Sequence, residues 1–159
     1  MNKAEIPVAQ RAVLSMLLDD HREVKKLFKT FQQENDPRTC GQIVREACEK
    51  LTVHTQLEEA LFYPFVRDNG SERFKDLLDE AVVEHATAKD LIRQLAGMQP
   101  GDDLFAAKFT VLAEYVSHHV EEEETELFPK LINGHIDLSP LLEPMTARKE
   151  ALLGQGAAA

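Results

Sequence analysis

The part of the sequence that decides the fold occurs twice: residues 54–64 read His-Thr-Gln-Leu-Glu-Glu-Ala-Leu-Phe-Tyr-Pro, and residues 119–129 read His-Val-Glu-Glu-Glu-Glu-Thr-Glu-Leu-Phe-Pro. Each copy has a histidine, a glutamate four residues later and a proline ten residues later. Residues four apart on an α-helix share one face and lie about 6 Å apart along the axis. Each copy therefore presents one imidazole and one carboxylate in the same direction, and this combination of donors is typical of a metal site.

The composition is that of an ordinary globular protein. The 159 residues are 43% hydrophobic and 29% charged, which suits one domain with a substantial core. The net charge of −10 argues against nucleic acid and anionic membranes as partners. No apolar run approaches the roughly 20 residues of a bilayer-spanning helix, and no export signal is recognisable at the N-terminus. We therefore expect a cytoplasmic protein in which Cys40 and Cys48 are reduced thiols.

Four long stripes of apolar residues at helical spacing predict an all-α fold. The first helix is expected from Pro7 to about Glu34, and the second is expected to start at Pro37 with Asp36 as its N-cap. No stretch reads as a strand. Long helices joined by short connections favour an antiparallel, up-down-up-down four-helix bundle.

The bundle is expected to occupy most of the chain. We assign it to residues 7–134, because Asn133-Gly134 ends the fourth helical pattern. Residues 135–159 are expected to form a short C-terminal extension, with a short helix after Pro140 and a disordered end.

The unit of two helices is itself duplicated. Asp20-His21 matches Glu84-His85 at an offset of 64 residues, and the two His-x-x-x-Glu pairs match at an offset of 65. Two copies of a helical hairpin, packed with pseudo-twofold symmetry, would bring the polar residues of the inward stripes together at the centre of the bundle. These residues are His21, His54, Glu58, His85, His119 and Glu123.

Two interpretations of these residues compete. In one, His54 pairs with Glu58, and His119 with Glu123, as buried salt bridges. Such pairs often fail to recover their desolvation cost, and two of them at one level of a bundle would be unfavourable. A buried carboxylate normally persists only when it is paired or bound to a metal. We therefore interpret the cluster as a metal site.

The number of ligands indicates two metal ions. Four imidazoles and two carboxylates are too many for one structural zinc ion, which takes four ligands. By helical hairpin, we assign His21 and His54 to one ion and His85 and His119 to the other, with both glutamates between them. A solvent-derived bridge would leave each ion about one open position for a small molecule. Imidazole with carboxylate suits iron best among redox metals, with manganese and zinc as alternatives.

The pattern resembles the hemerythrin-like family, in particular the hemerythrin HHE cation-binding domain. Its motif is a histidine in helix one, His-x-x-x-Glu in helix two, a histidine in helix three and His-x-x-x-Glu in helix four, and the match spans roughly residues 10–133. The resemblance implies a non-haem di-iron centre with an oxo or hydroxo bridge. It also implies that this centre binds or turns over oxygen, nitric oxide or hydrogen peroxide, in the response to oxidative or nitrosative stress.

Three classes of function stay open within that resemblance. The protein could be an enzyme that decomposes peroxide or reduces oxygen or nitric oxide. It could be a sensor or store of a small ligand or of iron. It could also be an interaction protein in which the metals only lock the bundle. The open coordination positions argue against the last.

The third and fourth helices depart from the pattern of the oxygen-carrying hemerythrins. Those proteins have His-x-x-x-His on the third helix and His-x-x-x-x-Asp on the fourth. Here the residue four after His85 is Lys89, and the fourth helix has the Glu123 spacing instead. The missing fifth histidine makes the coordination more open, which favours sensing or redox chemistry over reversible oxygen carriage.

The remaining charged candidates are expected outside the ligand set. His118 is rotated by about 100° from His119 on the helix and is expected at the surface or beside the ligands. His135 follows the bundle and is expected to be exposed. In the acidic run 121–124, only Glu123 lies on the inward stripe, and we expect the rest to be solvated.

Two pairs of residues have open roles. Lys25 and Lys89 occupy equivalent places in the two repeats, either beside the ligands or as solvated lysines at the boundary of the core, and we favour the second. Tyr63 and Tyr115 could supply a proton or a hydrogen bond near the centre.

Overall fold

The structure is a computed structural model that describes residues 1–158, with side chains to residue 155. The described part is mostly helical and has no strand, so the predicted all-α class is confirmed. Its helices are α1 (Val8–Gln33), α2 (Pro37–Leu57), α3 (Tyr63–Asn69), α4 (Lys75–Ala96), α5 (Phe105–Glu122), α6 (Phe128–Asn133) and α7 (Leu142–Ala158). As predicted, α2 starts at Pro37, and Asp36 caps it by accepting a hydrogen bond from the Thr39 amide at 3.2 Å.

A π-helical turn joins α2 to α3, and another joins α5 to α6. The turns cover Glu58–Phe62 and Glu123–Leu127, and the amide that closes each one donates to the carbonyl five residues earlier. Pro64 or Pro129 follows soon after each turn. Proline has no amide hydrogen and its ring presses on the carbonyl four residues before it, which a wider turn accommodates. The sequence predicts ordinary α-helices here, and in these two turns that prediction is wrong.

The extra residue of each π turn changes which side chains face the core. It rotates the residues that follow by about 100° relative to an uninterrupted α-helix. After the first turn, Tyr63 and Val66 are buried and Phe65 is only half-buried. An uninterrupted α-helix would bring Phe65 inward after Glu58 and Phe62, so the π turn shifts the buried face beyond Phe62 by one position.

The apolar core has two parts, which we call the first and second core clusters. The first includes Leu14, Leu17 and Phe62, and the second includes Phe28 and Phe109. The buried histidines lie close to the boundary between these clusters. For example, α1 passes from Leu18 in the first cluster through His21 to Val24 in the second.

The C-terminal segment contains a longer helix than the sequence predicts. Helix α7 has 17 residues and continues to Ala158, where the sequence predicts a short helix. The disordered end stays a prediction, and Ala159 lies outside the described residues. Met145 of α7 is buried in the first core cluster. The preceding segment is tied to α1, since the Leu138 amide donates to the Ala9 carbonyl at 3.0 Å.

No helix within residues 1–158 combines the length and the apolar character needed to cross a membrane.

Candidate metal centre

The six residues singled out in the sequence come together at the level between the two core clusters. Each is at most 6% exposed. The long helices supply the histidines, and each π turn supplies a glutamate as its first residue. The residues are His21, His54, Glu58, His85, His119 and Glu123.

Their ligand atoms form two groups. The first triad is His21, His54 and Glu123, and the second triad is Glu58, His85 and His119; within each, one ligand atom per residue lies within 4.8 Å of the others. The histidines divide by helical hairpin, in the arrangement that the sequence predicts. Their role as metal ligands stays a prediction.

Both glutamates reach across the two triads. Glu58 Oε1 is 3.1 Å from His54 Nε2 and 3.1 Å from His85 Nε2. Glu123 Oε1 is 3.1 Å from His21 Nε2 and 3.4 Å from His119 Nε2. Each carboxylate therefore contacts one imidazole of each triad, which is the placement expected of a bridging ligand.

The unsatisfied atoms at the centre fit bound cations. Glu58 is fully buried, and among the described side chains neither of its oxygens has a hydrogen-bond partner; His54 Nε2 has none there either. The 3.1 Å separation of Glu58 Oε1 from His54 Nε2 does not meet hydrogen-bond geometry. Buried polar atoms of this kind are rare and costly, and an ion is one of the few ways to satisfy them. His85 Nε2 and His119 Nε2 also lie 3.1 Å apart, close enough to share a cation.

A carboxylate on a neighbouring helix orients every histidine. Each Nδ1 lies 2.8–3.1 Å from a carboxylate oxygen, and we call these four groups the outer carboxylates. Because an ionised carboxylate only accepts, each Nδ1 must carry the proton, and Nε2 is the atom that faces the centre. The pairs are Asp20 with His54, Glu59 with His85, Glu84 with His119, and Glu124 with His21.

Reasoning from the sequence missed the outer carboxylates. Glu124 was expected on a solvated face, and this is wrong, because its side chain bonds His21 and is only 18% exposed. A signal was available: each outer carboxylate is adjacent in sequence to one of the six central residues, and both repeats have them. What the sequence alone could not tell is that each reaches a histidine on a different helix.

Tyr63 is placed much closer to the centre than Tyr115. Its hydroxyl donates to Glu123 Oε2 at 3.1 Å and lies 3.3 Å from His85 Nε2 and 3.2 Å from His119 Nε2. In the second repeat the same position is Phe128, whose ring stacks against His21 with 6.0 Å between centroids. The tyrosine therefore makes the two halves of the centre chemically different. Tyr115 is largely exposed, although it lines the cavity described below.

The other candidates lie farther out. Lys89 donates to Glu59 at 2.7 Å and so contacts an outer carboxylate, which corrects its expected role as a merely solvated lysine. Lys25 is exposed, in agreement with the favoured expectation. His118 is 62% exposed and lies 3.2 Å from Glu122, and His135 is also exposed, as predicted.

In the metal-free protein, the surrounding carboxylates favour the protonated form of the central imidazoles. Burial by itself lowers the pKa of His54, but Glu58 and Asp20 outweigh it and raise that pKa to about 10. The pKa of His119 is likewise raised well above its usual range by Glu123 against the effect of burial. Burial raises the pKa of Glu58, but His54 reverses this and holds that pKa well below its usual value. A metal ion at the centre would replace protons.

A cavity lies between the histidines and the second core cluster. All four central histidines line it, together with apolar side chains that include Val24, Ala88 and Val116. Its chemistry suits a small, weakly polar molecule rather than a large or highly charged one.

Comparisons with known proteins agree with this geometry. The family described as "Hemerythrin HHE cation binding domain" matches residues 12–131. A protein of Nostoc sp. (strain PCC 7120) named "DNA nickase" is 33% identical over 116 residues, which are 72% of this chain and 32% of that protein. The chain thus spans about a third of the length of that relative.

A solved structure also has a similar fold. It is the crystal structure of a hemerythrin HHE cation binding domain-containing protein from Mycobacterium kansasii, with a TM-score of 0.74. The alignment covers 91% of this chain and 88% of that chain at 20% sequence identity, so this likeness concerns the fold alone.

Proposed function

We propose that this chain, which belongs to the hemerythrin HHE cation binding domain family, is a non-haem di-iron protein that binds or turns over oxygen, nitric oxide or hydrogen peroxide. The observation that carries the proposal is the pair of buried triads with two glutamates reaching across them. His21, His54 and Glu123 would hold one ion, and Glu58, His85 and His119 the other. Manganese and zinc are the alternatives to iron.

The residues around the ions support redox chemistry on a small molecule. Two iron ions would carry electrons between two peroxide molecules in disproportionation, or from an external electron donor to oxygen or nitric oxide in reduction. The outer carboxylates keep each Nε2 directed at the centre. Burial and the carboxylate of Glu123 raise the pKa of Tyr63, so its hydroxyl stays protonated beside the centre and can donate a hydrogen bond or a proton.

The cavity supports a ligand as small as oxygen, nitric oxide or peroxide. Its walls are apolar on the side of the second core cluster and polar at the histidines. Asp20 and Glu84 also line this cavity, so a small molecule held there would lie beside the central histidines and two of the outer carboxylates. The alternative function, a sensor or store without turnover, uses the same cavity and differs only in what happens to the ligand.

The proposal includes the antiparallel arrangement of the helices that hold the ligands. Along α1 and α4 the chain runs from the first core cluster to the second. Along α2, and from α5 into α6, it runs from the second to the first. This alternation supports the up-down-up-down order. Two free cysteines support a reducing, cytoplasmic setting, in which a role in oxidative or nitrosative stress fits the chemistry.

We do not extend nickase activity from the Nostoc relative to this chain. The shared region is about a third of that protein. A net charge of −10 repels the phosphate backbone, on which most of the affinity for DNA depends.

Metal analysis of the purified protein tests the proposal, followed by absorption spectra after oxygen or peroxide is added to the reduced form. About two irons per chain with consumption of peroxide are expected for an enzyme. Two irons with a reversible spectral change and no consumption would assign a sensor or store. One zinc ion per chain, or no metal, would refute the di-iron proposal. His118→Ala, which changes an exposed histidine next to a central one, is the matched control and should load like the wild type.

A further inference from the structure

The C-terminal helix contributes one contact to the outer carboxylates, from outside the region that matches the family. Lys149 Nζ donates to Asp20 Oδ1 at 2.8 Å, and Asp20 Oδ2 accepts from His54 Nδ1 at 2.8 Å. The Lys149 side chain is 28% exposed and that of Asp20 only 10%. The chain of contacts thus leads from α7 through a buried carboxylate to a histidine of the first triad.

Packing holds Lys149 in this place. One turn earlier on α7, Met145 is fully buried in the first core cluster. The segment before α7 is bound to α1 as well, because the Gln10 side chain donates to the Ile136 carbonyl at 2.7 Å. Isolated ion pairs at the surface contribute little to the stability of a protein, since ordering two mobile side chains costs entropy. Here a packed helix and a buried carboxylate have already lost most of that freedom.

Within the part of the chain that the structure describes, no lysine contacts the corresponding carboxylate of the second repeat. The counterpart of the Asp20–His54 pair is Glu84–His119, with 3.1 Å between Glu84 Oε1 and His119 Nδ1. The nearest cationic candidate beside Glu84 is His118, whose Nε2 is 3.6 Å from Glu84 Oε2, beyond hydrogen-bond distance. The pseudo-twofold symmetry of the centre is therefore broken at this outer carboxylate.

We propose that Lys149 is a positioning residue for the metal ion of the first triad, so that the C-terminal helix sets the affinity of that ion separately from that of the other. The inference rests on the di-metal function proposed above. The ammonium group holds the Asp20 carboxylate in one orientation, with Oδ2 on His54 Nδ1. His54 then keeps the tautomer and ring orientation in which Nε2 faces the centre, as partners behind metal-bound histidines generally do.

The first experiment is a calorimetric titration of the metal-free, full-length protein with Zn²⁺, comparing wild type, Lys149→Met and Arg148→Met. Arg148 is the exposed neighbour on the same helix, so its replacement removes the same charge without touching Asp20. We expect Lys149→Met to weaken one of two zinc sites by about tenfold, the lower end for such partners. The other site, and both sites in Arg148→Met, should stay within about twofold on the same scale. Lys149→Arg should restore most of the loss.

A second readout distinguishes positioning from general destabilisation. In the zinc-loaded protein, proton NMR can follow exchange of the histidine Nδ1 protons with water. Lys149→Met should speed exchange at His54 and leave His119 unchanged.

Equal affinities in Lys149→Met and Arg148→Met, or equal weakening of both zinc sites, would overturn the inference while leaving the di-metal centre intact. A wild-type protein that takes up fewer than two zinc ions, and fewer than two irons, would overturn the proposed function and this inference with it.

Discussion

Replacing Glu58 by glutamine removes one of the two negative charges at the centre and keeps the size of the side chain. Glu58 Oε1 contacts His54 of the first triad and His85 of the second, both at 3.1 Å. Loss of this carboxylate should therefore weaken both metal sites. Loss of His54 alone, by His54→Ala, should chiefly weaken the first.

The size of the effect follows from the share of one ligand in the binding free energy. Structural metal sites with four protein ligands bind with about 10–16 kcal/mol, so one ligand accounts for about 3 kcal/mol. At about 1.4 kcal/mol for each factor of ten, that is a loss of affinity of about 100-fold. Glu58→Gln is expected to show this loss at both sites.

The assay is the metal content of each variant after dialysis against buffers of fixed free-metal concentration. The free-metal concentration is set between the dissociation constants of the wild type and of the weakened variants. At that concentration the wild type should retain two ions, His54→Ala about one and Glu58→Gln close to none. His118→Ala and His135→Ala, which change exposed histidines, are the controls and should match the wild type.

The reasoning would be refuted if Glu58→Gln kept two tightly bound ions, because a carboxylate that contacts both triads would then not be a ligand. Equal metal content in all four variants would also reject the choice of His119 over His118. The circular dichroism spectrum of each metal-free variant is first compared with that of the wild type. A variant that has lost its helical signal is misfolded, and its metal content does not test the ligand assignment.

Other expectations concern protons, the tyrosine and the core. Because the pKa of His54 is raised to about 10, protonated His54 stabilises the metal-free protein. This stabilisation is complete below pH 6.5 and is lost as the pH rises toward 10. The melting temperature of the metal-free protein should therefore fall across this range, and metal loading should abolish the fall. Tyr63→Phe should keep both ions but slow peroxide consumption, and losing its hydrogen bond to Glu123 should cost about 1–2 kcal/mol in urea denaturation. Leu17→Ala, at a fully buried site, should cost about 2–5 kcal/mol by the same measurement. Val83→Ala, at a side chain 66% exposed, should stay within about 0.5 kcal/mol.

The helices and the central residues could be predicted because helical periodicity is a local property. An apolar stripe shows which face of a helix will be buried, and a histidine or glutamate within that stripe must then be buried too. His21 and His85 were found in this way, although neither belongs to a His-x-x-x-Glu pair. The duplication added the expectation that the four helices meet at one level.

The π turns show where local reasoning fails. Each proline is visible in the sequence. An α-helix can accommodate an interior proline by a kink, a break or a wider turn, and packing decides which of these forms. The wider turn brings Tyr63 inward, beside Glu123. The exposed position predicted for Glu124 failed for a related reason, since its partner His21 is on another helix.

By itself, the sequence determined the all-helical fold, the two repeats and the six polar residues that face inward, because side chains on one helix face are set by spacing along the chain. Only the tertiary structure decided which outer carboxylate bonds which histidine, how the glutamates reach across the triads, and that Lys149 bonds Asp20 from a helix after the repeats. The contacts of the outer carboxylates with the histidines and with Lys149 join residues from 26 to 129 positions apart. Nothing in local periodicity specifies such pairs, because they depend on how whole helices pack against one another.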